Sequence, residues 1–146
     1  MKIYYREKSG GIEILRCFGI EGRVEIPGMI DDKLVISAAP YAFSSHMDEK
    51  EELKNASLWE VSDGLEFGRE EHVLAGNDVE EIVFPYTLKE IGRYIFYGCG
   101  NLKKLEFSDS LMQIGCGAFT GCHALEKLTV HMRQGKKSGV KEMLGE

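Results

Sequence analysis

Two thiols, a histidine and a Gly-x-Gly crowd into "IGCGAFTGCH" at residues 114–123, and a related "IGRYIFYGC" occupies 91–99. Phosphate binding, metal binding and thiol catalysis all use such residues. A dinucleotide loop needs G-x-G-x-x-G between a strand and a full helix, so that free backbone amides face the anion. Here Gly117 runs straight into "AFTGC", and the sister stretch carries Tyr94 where Gly117 stands. A zinc site needs close Cys or His pairs in set spacings. Cys116-x5-Cys122 followed by His123 is a poor match, and no C-x-x-C links Cys17, Cys99, Cys116 and Cys122. Nucleophilic catalysis needs a base that is itself oriented by a third group. Neither His46, His72, His123 nor His131 pairs with a carboxylate in any recognisable pattern. The stretch therefore reads as architecture, and no catalytic residue, cofactor or metal ligand is assigned.

What the stretch positions becomes clear when the chain is shifted by 23 residues. "VEEIVFPYTLKEIGRYIFYGCGN" (79–101) then falls on "LKKLEFSDSLMQIGCGAFTGCHA" (102–124). Seven positions are identical: Phe84/Phe107, Leu88/Leu111, Ile91/Ile114, Gly92/Gly115, Phe96/Phe119, Gly98/Gly121 and Cys99/Cys122. Chance would supply about one or two. A third copy starts at Leu125 with "LEKLTV" and then stops matching. Each unit opens on apolar positions that alternate with period two, as in Ile82/Phe84, Leu105/Phe107 and Leu128/Val130, which is the pattern of a short strand with one buried face. A turn-rich corner and a glycine-punctuated second half follow. Such a unit cannot enclose a core alone, but stacked units can, with their strands side by side.

These repeats resemble the bacterial BspA-like leucine-rich repeat, whose units run from a strand through a Pro/Ser corner to "I-G-x-x-A-F-x-G-C" and "x-x-L-x-x-L". The resemblance implies a strand-rich α/β fold: a right-handed leucine-rich-repeat solenoid with a parallel sheet on one face and short helical or 3₁₀ turns opposite. It is strong over 79–130.

The whole chain, 1–146, is expected to form one such domain. "KIYYREKSGGIEILRCF" reads as two strands around a Gly-rich turn, so 1–23 is expected to be an amino-terminal hairpin cap. Residues 24–46 form a first divergent repeat with about five extra residues after Ile26-Pro27. There Ala42-Phe43 aligns with Ile95-Phe96, and His46 falls at the inner position of Cys99. Residues 47–78 are expected to hold a short exposed helix and a degenerate repeat, because counting back 23 from Ile82 and Phe84 gives Trp59 and Val61. Residues 79–101 and 102–124 are the regular repeats. Residues 125–146 are a truncated repeat and a carboxyl-terminal cap, with Val140, Met143 and Leu144 facing inward.

Packing explains the shared letters. Cys99 and Cys122 occupy one phase and are expected to be small buried thiols stacked inside the solenoid. Cys116, in the phase of Arg93, is expected to be the accessible thiol. The differing pairs Arg93/Cys116 and Tyr94/Gly117 are expected to face outward and vary freely.

Function is then sought on the outer face of the sheet, where in-register residues form three columns. The first is Glu81, Lys104 and Lys127; the second is Val83, Glu106 and Thr129; the third is Pro85, Ser108 and His131. If Trp59–Val61 were a coil, Leu58, Glu60 and Ser62 would extend them. Solenoid sheets of the family generally bind proteins, so the resemblance implies a non-catalytic interaction module with an unidentified protein partner. Two alternatives remain: an orphan structural relative of cell-surface adhesin repeats, or a thiol-based redox protein.

Composition narrows the partner. With 43% hydrophobic residues, 29% charged residues and a net charge of −6, the chain lacks the basic surface that nucleic acid or anionic membranes reward. Neither a signal peptide nor a membrane-spanning run is recognised, so no membrane insertion and a cytoplasmic location with reduced thiols are expected. The last strand leaves an edge to be managed. The chain is accordingly expected to be a monomer, or a dimer joined end to end through that carboxyl-terminal edge.

Overall fold

A computed structural model describes residues 1–19, 22–46, 49–61 and 72–132. The chain is strand-rich with little helix. Its strands are β1 (Lys2–Lys8), β2 (Gly11–Gly19), β3 (Arg23–Glu25), β4 (Met29–Ile30), β5 (Lys33–Ala38), β6 (Ser57–Glu60), β7 (His72–Val73), β8 (Glu81–Val83), β9 (Glu90–Ile91), β10 (Lys104–Ser108), β11 (Gln113–Ile114) and β12 (Lys127–His131). One helical turn, α1 (Glu49–Glu52), and a 3₁₀ turn at Gly76–Asp78 complete the elements among the described residues.

The 23-residue period becomes parallel pairing. Strands β3, β8, β10 and β12 form one parallel sheet in which Val24, Ile82, Leu105 and Leu128 are successive rungs. A second parallel ladder joins β5, β9 and β11, so that each coil touches its neighbour on two sides. The third side is made of turns closed by i to i+3 bonds, such as the Tyr97 amide to the Tyr94 carbonyl and the Thr120 amide to the Gly117 carbonyl. Between these walls the phenylalanines stack along the solenoid axis. Phe43, Phe96 and Phe119 lie 6.1 and 5.8 Å apart, and Phe84 and Phe107 lie 5.1 Å apart and nearly coplanar in orientation.

Close stacking also explains the shared Ile-Gly. A Cβ on Gly115 would lie 2.2 Å from the Arg93 nitrogen, and one on Gly92 would lie 2.3 Å from the Pro40 nitrogen. Glycine is required there because neighbouring backbones touch.

The amino-terminal hairpin β1–β2 turns through Ser9 and Gly10, both at positive φ, the geometry that matches strand twist. Strand β2 is almost wholly buried, including Glu13 and Arg16. The Arg16 guanidinium donates to the carbonyls of Tyr41 and Ala42 (3.0 and 3.1 Å) and of Ser44 (2.5 Å), which ties the hairpin to the first coil's turn. The additional residues of that coil form a small hairpin, β4 with β5, around Asp31 and Asp32.

Three expectations are corrected. Trp59 does not belong to a degenerate coil: β6 pairs antiparallel with β1, and the rung beside Ile82 is Val24. The edge of the hairpin supplies unpaired backbone groups that a four-residue strand can complete, whereas β3 already fills the place beside β8. His46 is exposed, because the chain leaves the coil after Ser45. Tyr94 and Gly117 are not free positions: both hold positive φ, at 52° and 67°. The expected carboxyl-terminal cap, with Val140, Met143 and Leu144, lies outside the described residues, as does Ser62.

If stacking carries the fold, Gly115→Ala should lower unfolding free energy by about 2 kcal/mol or more, since its methyl meets backbone that cannot move aside. Phe96→Ala should cost about 3–5 kcal/mol. Urea titrations of both variants against the native chain provide the measurement.

Candidate interaction face

The outer columns of the main sheet are set by the register just described. Glu81, Lys104 and Lys127 are aligned, as are Val83, Glu106 and Thr129. Ser108 is opposite His131. Strand β3 extends two columns, placing Arg23 beside Glu81 and Glu25 beside Val83. Those two residues were not among the candidates. The signal for them was present, because "VEIP" at 24–27 aligns with "IVFP" at 82–85.

The columns differ in what they offer. Arg23 is within ion-pair reach of both Glu25 and Glu81, at 3.4 Å for the latter. His131 lies 3.4 Å from Glu106. Lys104 and Lys127 are exposed and directly opposite each other, and neither has an anionic partner among the described residues. Like charges facing across a strand pair are unfavourable. Pro85 and Val83 are half-buried, as is Thr129. Ser108 is 5% exposed and does not belong to the open surface. Strand β10 ends there, and its hydroxyl oxygen turns under the corner to accept the Ser110 amide at 3.1 Å. The usable face is therefore Arg23, Glu25, Glu81, Lys104, Glu106 and Lys127, with His131 at one end.

A polar cluster sits elsewhere, where β1, β2, β5 and β9 meet. Buried Glu13 receives Arg6 Nε at 2.8 Å and Lys8 Nζ at 3.0 Å, and Lys8 also bonds Glu90. Ser37 Oγ lies 3.0 Å from a carboxylate oxygen of each glutamate. The Lys8 hydrogen bond, aided by Ser37, holds the Glu90 carboxyl below its ordinary range. Hydrogen bonding to Glu90 in turn raises Lys8. Each acid is thus engaged by a cation, which fits a tie between elements better than a general acid or base.

The thiols are equally bound up in packing. Cys99 Sγ donates to the Phe43 carbonyl at 3.2 Å, and Cys122 Sγ to the Phe96 carbonyl at 3.4 Å. Burial pushes Cys99 up to about 12 and Cys122 up to about 11. Both stay protonated and poorly nucleophilic near neutral pH. Cys116 is exposed. Among the described residues no group of His, Cys, Asp and Glu is arranged to hold a metal ion, and no helix is long and apolar enough to cross a membrane.

The described residues thus form a parallel-stacked repeat solenoid with an outward charged sheet. Residues 70–138 match the model of the BspA type leucine rich repeat region (6 copies). That part of the chain carries BspA-like leucine-rich repeats. Its fold is similar to that of a leucine rich cell surface protein from Faecalibacterium prausnitzii, with a TM-score of 0.58 and 19% identity over 88% of this chain. The match spans 30% of the length of that protein. No curated protein matches the chain.

Stability should accordingly have two pH limbs. Glu90 is depressed when folded, so its contribution is present above the ordinary value of 4.5 and fades as pH falls below it. The thiols are raised when folded, so their contribution is intact below about 9 and is lost as pH rises toward 12. Urea midpoints measured from pH 4 to pH 11 should trace a plateau between the limbs, and Cys99→Ala should flatten the alkaline one.

Proposed function

We propose that this chain is a non-catalytic interaction module that binds a protein partner through the outer face of the β3–β8–β10–β12 sheet. The observation that carries the reading is the pair Lys104 and Lys127, set side by side with no anion between them among the described residues. A pair of this kind is tolerated at a small cost in the free protein and becomes favourable when an acidic side chain docks across it. Farther along the same column Arg23 is engaged by Glu25 and Glu81, so the basic character is confined to the lysine pair, while Glu81 and Glu106 beside it select against a uniformly basic partner. The family is one of repeats rather than of catalysts, which agrees with the protonated thiols and the engaged acids.

A second reading is favoured by the solved neighbour, a cell surface protein: the module serves in an adhesin-like array at the cell surface. The two readings differ in location and share the face. Fractionation of native cells separates them, with the chain in the soluble cytoplasm under the first and at the surface under the second.

Affinity capture with the native chain and with Lys104→Glu plus Lys127→Glu tests the face. A bound protein should be lost by at least tenfold in the reversed variant, with binding weakening as salt rises. Equal capture by both would place the interface elsewhere.

A further inference from the structure

The two ends of the solenoid differ. At the amino-terminal end the hairpin β1–β2 covers the ladder beyond β5, and Val24, the end rung of the main sheet, is fully buried. At the other end Leu128, Val130 and Phe119 are half-buried, whereas Leu105, Phe107 and Phe96 one coil earlier are buried. Main-chain groups are open there too. The amides of Tyr94, Phe96 and Gly98 donate to the carbonyls of Cys116, Ala118 and Thr120 at 3.0, 3.2 and 3.2 Å. Their counterparts at Gly117, Phe119 and Gly121 have no acceptor among the described residues. Beyond Met132 the sequence has Lys137 and Ser138 in the phase of Ile114 and Gly115, and Glu142 in the phase of Phe119. The letters of a further stacked coil therefore stop at this edge.

The last strand, β12, is complementary to itself. The Lys127 amide donates to the Lys103 carbonyl at 3.0 Å, and the His131 carbonyl accepts the Asp109 amide at 3.0 Å. Lys127, Thr129 and His131 thus turn their main-chain groups toward β10, while Leu128 and Val130 turn theirs outward, since the groups alternate along a strand. A two-fold axis at Thr129 sets Leu128 of each copy opposite Val130 of the other, and every outward amide then meets a carbonyl. The same axis brings Thr129 against Thr129, where a charge would repel its own copy. The preceding coil has Glu106 in this column; β12 has an uncharged threonine. Lys127 faces His131 of the second copy, which keeps the two Lys127 side chains at opposite ends of the paired strands.

We propose that two copies of this chain join tail to tail through β12, antiparallel, with the two-fold axis at Thr129. An unpaired strand edge is a template for another strand. A copy of β12 fits it in register and also brings a second half-buried end, so each copy covers the apolar residues of the other. Because the amino-terminal end is closed, head-to-tail stacking into a fibre is not available, and the pair is a closed dimer. Pairing doubles the four-stranded sheet and leaves its outer face open. The contact uses the edge of that sheet, whereas the partner-binding reading uses its face.

Sedimentation equilibrium of the full chain is the test. The native chain should form a dimer with a dissociation constant of about 100 μM or below. Thr129→Lys and Thr129→Glu should each weaken it by at least tenfold with the circular dichroism spectrum unchanged, because each sets like charges across the axis. An equimolar mixture of the two variants should dimerise again, since the axis then pairs opposite charges; a variant that had merely lost its fold would not be rescued. Lys104→Glu should dimerise as the native chain does, which separates this edge from the sheet face. Three results overturn the proposal: the native chain stays monomeric, so that its edge is closed within the chain; the dimer survives both Thr129 variants; or the mixture of the two folded variants stays monomeric.

Discussion

Contact between the backbones of successive coils is the constraint from which the rest of the structure follows. At Gly92 and Gly115 the coils approach so closely that a single methyl would enter the neighbouring main chain. That distance brings Phe43, Phe96 and Phe119 into one stack and lets each inner thiol reach the carbonyl of the phenylalanine one coil earlier. A 23-residue unit buries little by itself. Its apolar residues become core only when the next coil covers them, so stability is a property of the contacts between units.

The same stacking determines the two surfaces. On the strand side it aligns residues into columns, and alignment turns scattered charges into a pattern: a basic pair at Lys104 and Lys127 beside the acids Glu106 and Glu25. On the turn side it aligns residues 41, 94 and 117, and two tyrosines there become a stacked pair with Tyr97 and His46 at its flank. One sheet offers charge and the other surface offers aromatic groups. In both, the backbone that carries these side chains is hydrogen-bonded to the neighbouring coil.

Much of this was legible in the residues. The identical Phe, Gly and Cys letters of 79–101 and 102–124 gave the coil period, and the period alone yields the registers Glu81–Lys104–Lys127 and Val83–Glu106–Thr129. Residues before 79 were harder to read, because local pattern there competes with tertiary pairing. "SLWE" has the look of a coil strand, yet a hairpin edge captured it, and β3 took the place beside β8 from far earlier in the chain. Ser108 has the correct phase for the open face, but strand termination turned it under. The constraint at Tyr94 was hidden because a backbone dihedral leaves no mark in side-chain periodicity; the glycine at its sister position, 117, was the available clue.

The central claim is that inner contacts between coils hold the fold while the sheet face is free to serve a partner. The unfolding free energy of Lys104→Glu tests it most directly. Stability should change by less than about 1 kcal/mol, since the substitution makes the neighbour Lys127 attractive and the neighbour Glu81 repulsive, two exposed effects that offset each other. A loss of more than about 1 kcal/mol would show that Lys104 supports the fold and would contradict the account.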